Sequence, residues 1–410
     1  MNARRLTLLL CAAEALGMAG FALFAALLPD FQAQWGLSNT EAGWIGGGFF
    51  LGYMLAVPML SGLTDKHDAR LIYLAAMLLT ALVNAGFACA DGFWSALAWR
   101  LLAGVGLAGT YMPGLKALSE RMEGPAQSRA VAFYTASFGL GTALSFVLAG
   151  ELAKLGGWQV PALLSGLCAL LAWALVYWGL QPKTPVQHAP RNWLDLAPLK
   201  SRAVLAYCLA YAVHNLELFA LRAWLVAFVA FSTRLQGVEP WLSGAWVAML
   251  ATLIGMPASI LGNEFALRLG RRRWLVVVML SSSMLAALIG LSAALPFWLL
   301  VLLLLLYSVT VTADSASLTA GLIAAAPASH RGAAMALYSC TGFTGAFLGP
   351  LLFGVTLDTL GDKSLLGWWA AFALMGLLLL LGPLALWWAR AERVSAAATE
   401  IRLGSAKPNV

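Results

Sequence analysis

Charge is what this chain has least of. Asp, Glu, Lys and Arg together make up 10% of its 410 residues, and hydrophobic residues make up 61%. A soluble domain carries about 25% charged and about 45–50% apolar residues, so the composition excludes one and points to an integral membrane protein. The apolar runs are about twenty residues long and do not alternate, which excludes a β-barrel and selects membrane-spanning helices.

Cysteine is also scarce. Cys11, Cys89, Cys168, Cys208 and Cys340 all stand in apolar runs without C-x-x-C spacing, so small hydrophobic packing is expected of them rather than disulfides or a metal cluster. Phosphate loops are missing as well: "LGDKS" at 360–364 lacks the glycine before its lysine, which argues against ATP-driven work. No H-E-x-x-H occurs and the four histidines are scattered, so neither a metal site nor a cofactor is expected. With no catalytic constellation in view, a membrane enzyme or a receptor is not the favoured class. The net charge of +7 would suggest nucleic acid as partner of a soluble protein, but in a membrane protein it belongs to cytoplasmic loops.

What is present is a series of twelve apolar stretches, roughly 6–28, 42–63, 71–90, 93–115, 130–153, 157–180, 204–231, 241–263, 274–294, 296–322, 333–357 and 365–389. The first follows a basic start, "MNARR", and exceeds the apolar core of about 7–15 residues found in a cleaved signal peptide, so it reads as an uncleaved span. Leu10 in "LLLC" stands where a lipoprotein box needs a small residue. Between spans 6 and 7 lies the only long polar interruption, with Pro182, Pro185, Pro190 and Pro198. Its prolines read as a linker and "RNWLDLAPLK" as a short surface helix. The expected organisation is an N-terminal six-helix bundle at 1–180, a cytoplasmic linker at 181–203, a C-terminal six-helix bundle at 204–389 and a polar cytoplasmic tail at 390–410. Of the 25 Lys and Arg, only Lys154, Arg234 and Lys363 fall in the loops opposite the N-terminus, and Arg100 and Arg222 fall inside spans. The positive-inside rule therefore places both termini in the cytoplasm. The seventeen tryptophans, such as Trp368, Trp369, Trp387 and Trp388 near span ends, read mostly as interfacial anchors.

The halves repeat. "SGLTDKHDARLIYL" between spans 2 and 3 corresponds to "NEFALRLGRRRWLV" between spans 8 and 9 at an offset of about 202 residues, and nearly the same offset carries Glu14 onto Glu217. Glu14, Arg100, His214, Glu217, Arg222 and Asp314 lie inside spans, and they occupy spans 1, 4, 7 and 10 alone. Ionisable groups at membrane depth face a bundle interior or a wet cavity, so these four spans are expected to line one central cavity. At about 100° per residue, Tyr207, Tyr211, His214, Asn215, Glu217 and Arg222 fall within about 160° of arc, a single polar wall on span 7. In span 10, "YSVTVTADSASLT" surrounds Asp314 with hydroxyls that can satisfy helix carbonyls or line a wet path. Arg100 and Arg222 suit a carboxylate or other anion, while Glu14, Glu217, Asp314 and His214 can exchange protons. The competing reading is internal neutralisation, with Arg100 paired to Asp314 or Glu14.

These features resemble the major facilitator superfamily of secondary transporters over nearly the whole chain. That family's loop signature between spans 2 and 3 reads G-x-L-x-D-[RK]-x-G-[RK]-[RK]. Here Leu63, Asp65, Lys66 and Arg70 match it, while Ser61, Asp68 and Ala69 depart. The resemblance implies a cytoplasmic gate between the halves, with Asp65, Lys66 and Arg70 as its residues, and Asp68 in place of glycine puts the turn in question. "RLLAGVGLAG" resembles the span 4 pattern R-x-x-x-G-x-G-x-x-G, with Arg100, Gly104, Gly106 and Gly109 in place. The antiporter G-P signature is missing from span 5, and a comparable Gly349-Pro350 stands in span 11. Such glycines read as close packing between the halves, where helices slide. The resemblance implies a bacterial inner-membrane carrier, monomeric and surrounded by lipid. It is expected to move a small polar or anionic organic solute by alternating access, with protons as coupling ion. The alternative is a proton-antiport exporter of amphipathic drugs or metabolites.

Overall fold

The computed structural model describes residues 2–184, 197–327 and 330–389, and no strand occurs among them. Ten helices have the length and hydropathy to cross a membrane. They are span 2, Asn39–Lys66; span 3, Ala69–Phe87; span 5, Gly124–Gly156; span 6, Gln159–Gly179; span 7, Arg202–Gln236; and span 8, Gly244–Leu269. Span 9, Arg271–Ala294, span 10, Phe297–Ala325, span 11, Arg331–Leu360, and span 12, Leu365–Ala389, complete the ten. The other two crossings depart for physical reasons. Span 4, Phe93–Ser119, is made less apolar by Arg100, Lys116 and its glycines. Span 1 runs in pieces, Ala3–Gly17, Met18–Gly20, Leu23–Ala26 and Leu28–Trp35, each too short to cross alone. Several helices outrun their apolar stretches, span 5 most of all, because a helix continues into the interface once its cap allows. "RNWLDLAPLK" lies mostly outside the described residues, and its last four, Ala197–Lys200, form one 3₁₀ turn. The expected tail at 390–410 lies outside them too.

Local chemistry sets the helix ends. Ser38 and Glu41 form a capping box at the start of span 2, Ser201 caps span 7 and Ser364 caps span 12, each satisfying an orphan N–H of a first turn. Asp68 caps span 3 by accepting from the Arg70 N–H at 3.0 Å. The backbone at Asp68 stays at φ −55°, so the turn needs no glycine there.

The spans assemble as two six-helix bundles, 1–6 and 7–12, that meet chiefly through spans 2 with 11 and 5 with 8. The meeting is uneven. The near end is where segments 61–70 and 119–124 converge on residues 181–184; there the buried core divides into one cluster built only of residues 6–180 and another built only of 204–386. Toward the far end a single cluster runs through both bundles, joining Phe31, Phe87 and Trp158 to Trp224, Phe353 and Phe372. The molecule is therefore sealed at the far end and parted at the near end.

A charged cap secures the far seal. Asp358, near the end of span 11, accepts from the Asn39 backbone N–H at 3.0 Å, from Asn39 Nδ2 at 2.8 Å and from the Thr40 N–H at 2.7 Å. A carboxylate from one bundle thus caps the positive end of a helix in the other. Asp358→Asn is expected to weaken this seal by about 1–2 kcal/mol, roughly a tenfold shift in the open fraction. The check is the labelling rate of Ala42→Cys, buried beneath the cap, by an impermeant thiol reagent applied to the far face. An unchanged rate would mean that Asp358 does not hold the seal.

Candidate functional site

Between the bundles, beneath the far seal, a narrow cavity is walled by Phe21 and Phe24 of span 1, Phe50 of span 2, Phe146 of span 5, and Phe219 and Trp224 of span 7. Among the described residues its charged lining groups are Arg100 and Arg222. Span 1 is broken where it borders this space, and the break is supported from outside: the Ser145 hydroxyl of span 5 accepts from the Ala22 N–H at 3.2 Å. Irregular backbone at membrane depth is tolerated where protein or a cavity replaces lipid. Within the break, the Phe21 carbonyl accepts from Arg100 Nη1 at 3.2 Å. The Arg100 guanidinium lies 4.5 Å over the Phe49 ring, while its Nε has no hydrogen-bond partner. Arg222 lies 5.4 Å over the Phe219 ring. Neither arginine meets a carboxylate among the described residues.

The other four intramembrane groups stay inside their own bundles. Glu14 accepts from the Tyr134 hydroxyl of span 5 at 2.8 Å, and its second oxygen has no partner. Glu217 accepts from Ser282 of span 9 at 3.0 Å and from Tyr307 of span 10 at 2.9 Å. His214 Nδ1 lies 2.7 Å from Asp314 Oδ1, both side chains buried. Asp314 occupies the break between Phe297–Thr312 and Ser315–Ala325. The expectation of one cavity holding all six groups is therefore corrected to a cavity holding two. An arc of about 160° is wide enough for its edges to face different neighbours. The competing reading, Arg100 paired with Asp314 or Glu14, is not met either, since Asp314 lies against His214 and Glu14 accepts from Tyr134.

The rest of the span 7 wall packs on spans 10 and 11. Tyr211 stacks on Tyr338 at 3.8 Å and on His214 at 5.8 Å. The Tyr207 ring fills the space against Gly321, and Asn215 lies against Gly342 with its Nδ2 unpartnered. The glycines expected to slide between bundles instead pack within them. A Cβ at Gly104 would strike the Phe49 carbonyl, one at Gly106 the Thr80 hydroxyl, and one at Gly109 Ala76, all in the first bundle. One at Gly349 would strike the Leu216 carbonyl in the second. Only Pro350 reaches the seam, where its carbonyl accepts from Trp224 Nε1 at 3.0 Å and abuts Gly43 of span 2.

In this parted state the 2–3 loop binds its own bundle. Asp65 pairs with Lys116 of span 4 at 2.8 Å, and Arg70 donates to the Tyr177 carbonyl of span 6 at 2.6 Å. Asp68 lies 3.8 Å from Arg121 and accepts from the Lys183 N–H at 2.8 Å. Asp65, Asp68 and Arg70 therefore brace spans 2, 3, 4 and 6 and the start of the linker, while Lys66 makes no ion pair among the described residues. Sequence reasoning missed the aromatic lining, the Tyr134, Ser282 and Tyr307 hydroxyls and the Asp358 cap. A phenylalanine in an apolar span carries no mark that separates cavity from lipid. Phe219 was the accessible one, three residues before Arg222 and hence on its side of the helix.

Two bundles that part at one end and enclose a charged cavity define the secondary-transporter class of fold. The family model of the Major Facilitator Superfamily matches residues 10–312 and 243–407, and the chain belongs to that family. The chain is 24% identical over 154 residues to the niacin transporter NiaP of Acinetobacter baylyi, a match covering 38% of this chain and 35% of that one. It is 26% identical over 286 residues to the MFS-type transporter YcaD of Salmonella enteritidis, covering 68% of this chain and 72% of that one. Among solved structures, a bacterial homolog of the human lysosomal transporter Spinster, inward-facing and occupied, superposes with TM-score 0.76 at 14% identity, covering 94% of this chain and 96% of that one. The nucleoside transporter NupG superposes with TM-score 0.76 at 12% identity, covering 94% and 99%.

Proposed function

We propose that this protein is a proton-coupled secondary carrier that moves a small organic anion across the inner membrane by alternating access. The observation that carries the reading is the pair of arginines in the central cavity with no carboxylate beside them. A buried cation without a counter-charge is costly, and an anionic solute supplies one. In this reading residues 1–180 and 204–389 rock as two bodies around that cavity, and the linker at 181–203 joins them. The distribution of Lys and Arg supports a cytoplasmic near end, so the parted state faces inward. The niacin carried by NiaP, as its name states, is itself a small organic acid. An exporter of lipophilic cations would place an acid where these arginines stand.

Protons are assigned to the buried acids away from the cavity. Glu217, held by two hydroxyls and facing no cation, is the first of these. In proteoliposomes, Glu217→Gln is expected to abolish uptake driven by an acid-outside gradient while leaving solute exchange intact. Undiminished driven uptake would remove Glu217 from the coupling step.

A further inference from the structure

We infer that the solute is a planar aromatic monocarboxylate, a single ring bearing one carboxylate; this rests on the anion-carrier reading and narrows it. Beside the small and aliphatic Ala22, Ala25, Leu28, Ala42, Gly46 and Ala223, the cavity offers two kinds of specific surface. One is the pair of guanidinium groups. The other is a sleeve of rings, Phe21, Phe24, Phe50, Phe146, Phe219 and Trp224. Among the described residues no hydroxyl, amide or carboxylate side chain lines it. A sugar, a nucleoside or an amino acid brings several hydroxyl or amino groups, and each would be buried here without a partner, at about 1–3 kcal/mol apiece. In the cavity that adjoins it at Arg222, the hydroxyls of Thr252, Ser308 and Thr312 already donate to carbonyls of their own helices.

The rings also orient the cations. Arg100 over Phe49 and Arg222 over Phe219 have their guanidinium faces covered by aromatic surface, which leaves the fork edges as the donors open to a ligand. A carboxylate takes such edges through paired hydrogen bonds. Ring edges meeting ring faces add about 0.5–1.5 kcal/mol each beyond area burial, which favours an aromatic body over a saturated one. Arg100 has already given one N–H to the Phe21 carbonyl, so Arg222 offers the freer fork for a single carboxylate.

The test measures ligand affinity of the detergent-purified full chain by thermal shift and calorimetry. Four probes separate the terms: benzoate, cyclohexanecarboxylate with the same charge but a puckered ring, benzamide with the same ring but no charge, and uridine as a polar neutral solute. Benzoate is expected to bind, cyclohexanecarboxylate about tenfold more weakly, and benzamide and uridine not measurably. Arg222→Ala should weaken benzoate binding about 10–100-fold, with Arg222→Lys intermediate. If Arg222→Ala does not purify as a monodisperse species, Phe219→Leu carries the arm and should narrow the gap between benzoate and cyclohexanecarboxylate. Equal binding of the two carboxylates overturns the aromatic inference and leaves the anion carrier standing. Uridine binding with no carboxylate binding overturns the anion reading itself. Binding unaffected by Arg222→Ala or Phe219→Leu places the site elsewhere and overturns the inference.

Discussion

Alanine at both Gly43 and Gly47 is expected to stop transport while leaving a folded protein. These glycines stand one helical turn apart on span 2, and they form the surface on which span 11 closes at the far end. A Cβ at Gly43 would lie 2.6 Å from the Pro350 carbonyl oxygen and 2.8 Å from the Leu351 Cα, and one at Gly47 would press on the Phe347 carbonyl. All three neighbours are backbone atoms, which cannot turn aside as a side chain tip would. Small residues in membrane helices serve this close backbone approach. Added methyls at a packed contact cost about 1–3 kcal/mol each, so the double variant disfavours the far-sealed state by about 2–6 kcal/mol. A shift of that size changes the ratio of the two states by about 30-fold or more. Each bundle keeps its own core, because the clash lies only at the seam. The measurement is a spin-label distance across the far end, for example between Ala33→Cys and Lys363→Cys, alongside solute exchange. A lengthened distance with lost exchange is expected. Unchanged distance and exchange would show that the two bundles do not close through these glycines.

The fold was legible in the sequence because lipid imposes it. A stretch of about twenty apolar residues in a bilayer has one economical conformation, and the offset of about 202 residues announced the repeated bundle. The exceptions were spans 1 and 10: apolarity continues unbroken through Gly17–Ala22 where the backbone does not, and the polar run around Asp314 did not by itself mark a break. Hydropathy averages over such breaks. The site was half legible. Arg100 and Arg222 stood out because charge is rare at that depth, and they are the two that reach the cavity. Glu14, Glu217, His214 and Asp314 stood out equally, yet the two glutamates turned toward hydroxyls and His214 and Asp314 toward each other, all inside their own bundles. Which face of a helix meets the seam depends on the packing of its neighbours, and span 7 is surrounded on most sides. In the 2–3 loop the departure at Asp68 proved to be a substitution with its own use, a helix cap that also receives Lys183 from the linker.

Asp314→Ala is expected to be the most destabilising single replacement within the second bundle. Asp314 and His214 are 1–3% exposed and 2.7 Å apart, and the break in span 10 is built around them. The Ala313 carbonyl beside the break accepts from Trp274 Nε1 at 3.3 Å, and Ala316 N–H donates to Ser259 at 3.3 Å. Spans 8 and 9 therefore hold the break open, so the chain cannot heal it into a continuous helix when the carboxylate is removed. His214 would be left buried without its partner, and orphaning one member of a buried pair costs about 3–5 kcal/mol. The reverse loss, His214→Ala, should cost a similar amount. Removing both with apolar groups of similar size, His214→Phe with Asp314→Leu, should recover most of the stability, because neither desolvation nor an orphan remains. The measurement is a double-mutant cycle in thermal or denaturant unfolding, with solute exchange and gradient-driven uptake followed on the same variants. Strong coupling in stability is the expected result, and additive losses would show that the two side chains do not act as a pair. If the apolar double variant is stable and still exchanges solute but has lost driven uptake, the pair shares the proton with Glu217. If driven uptake persists, its work is to fix the bend in span 10.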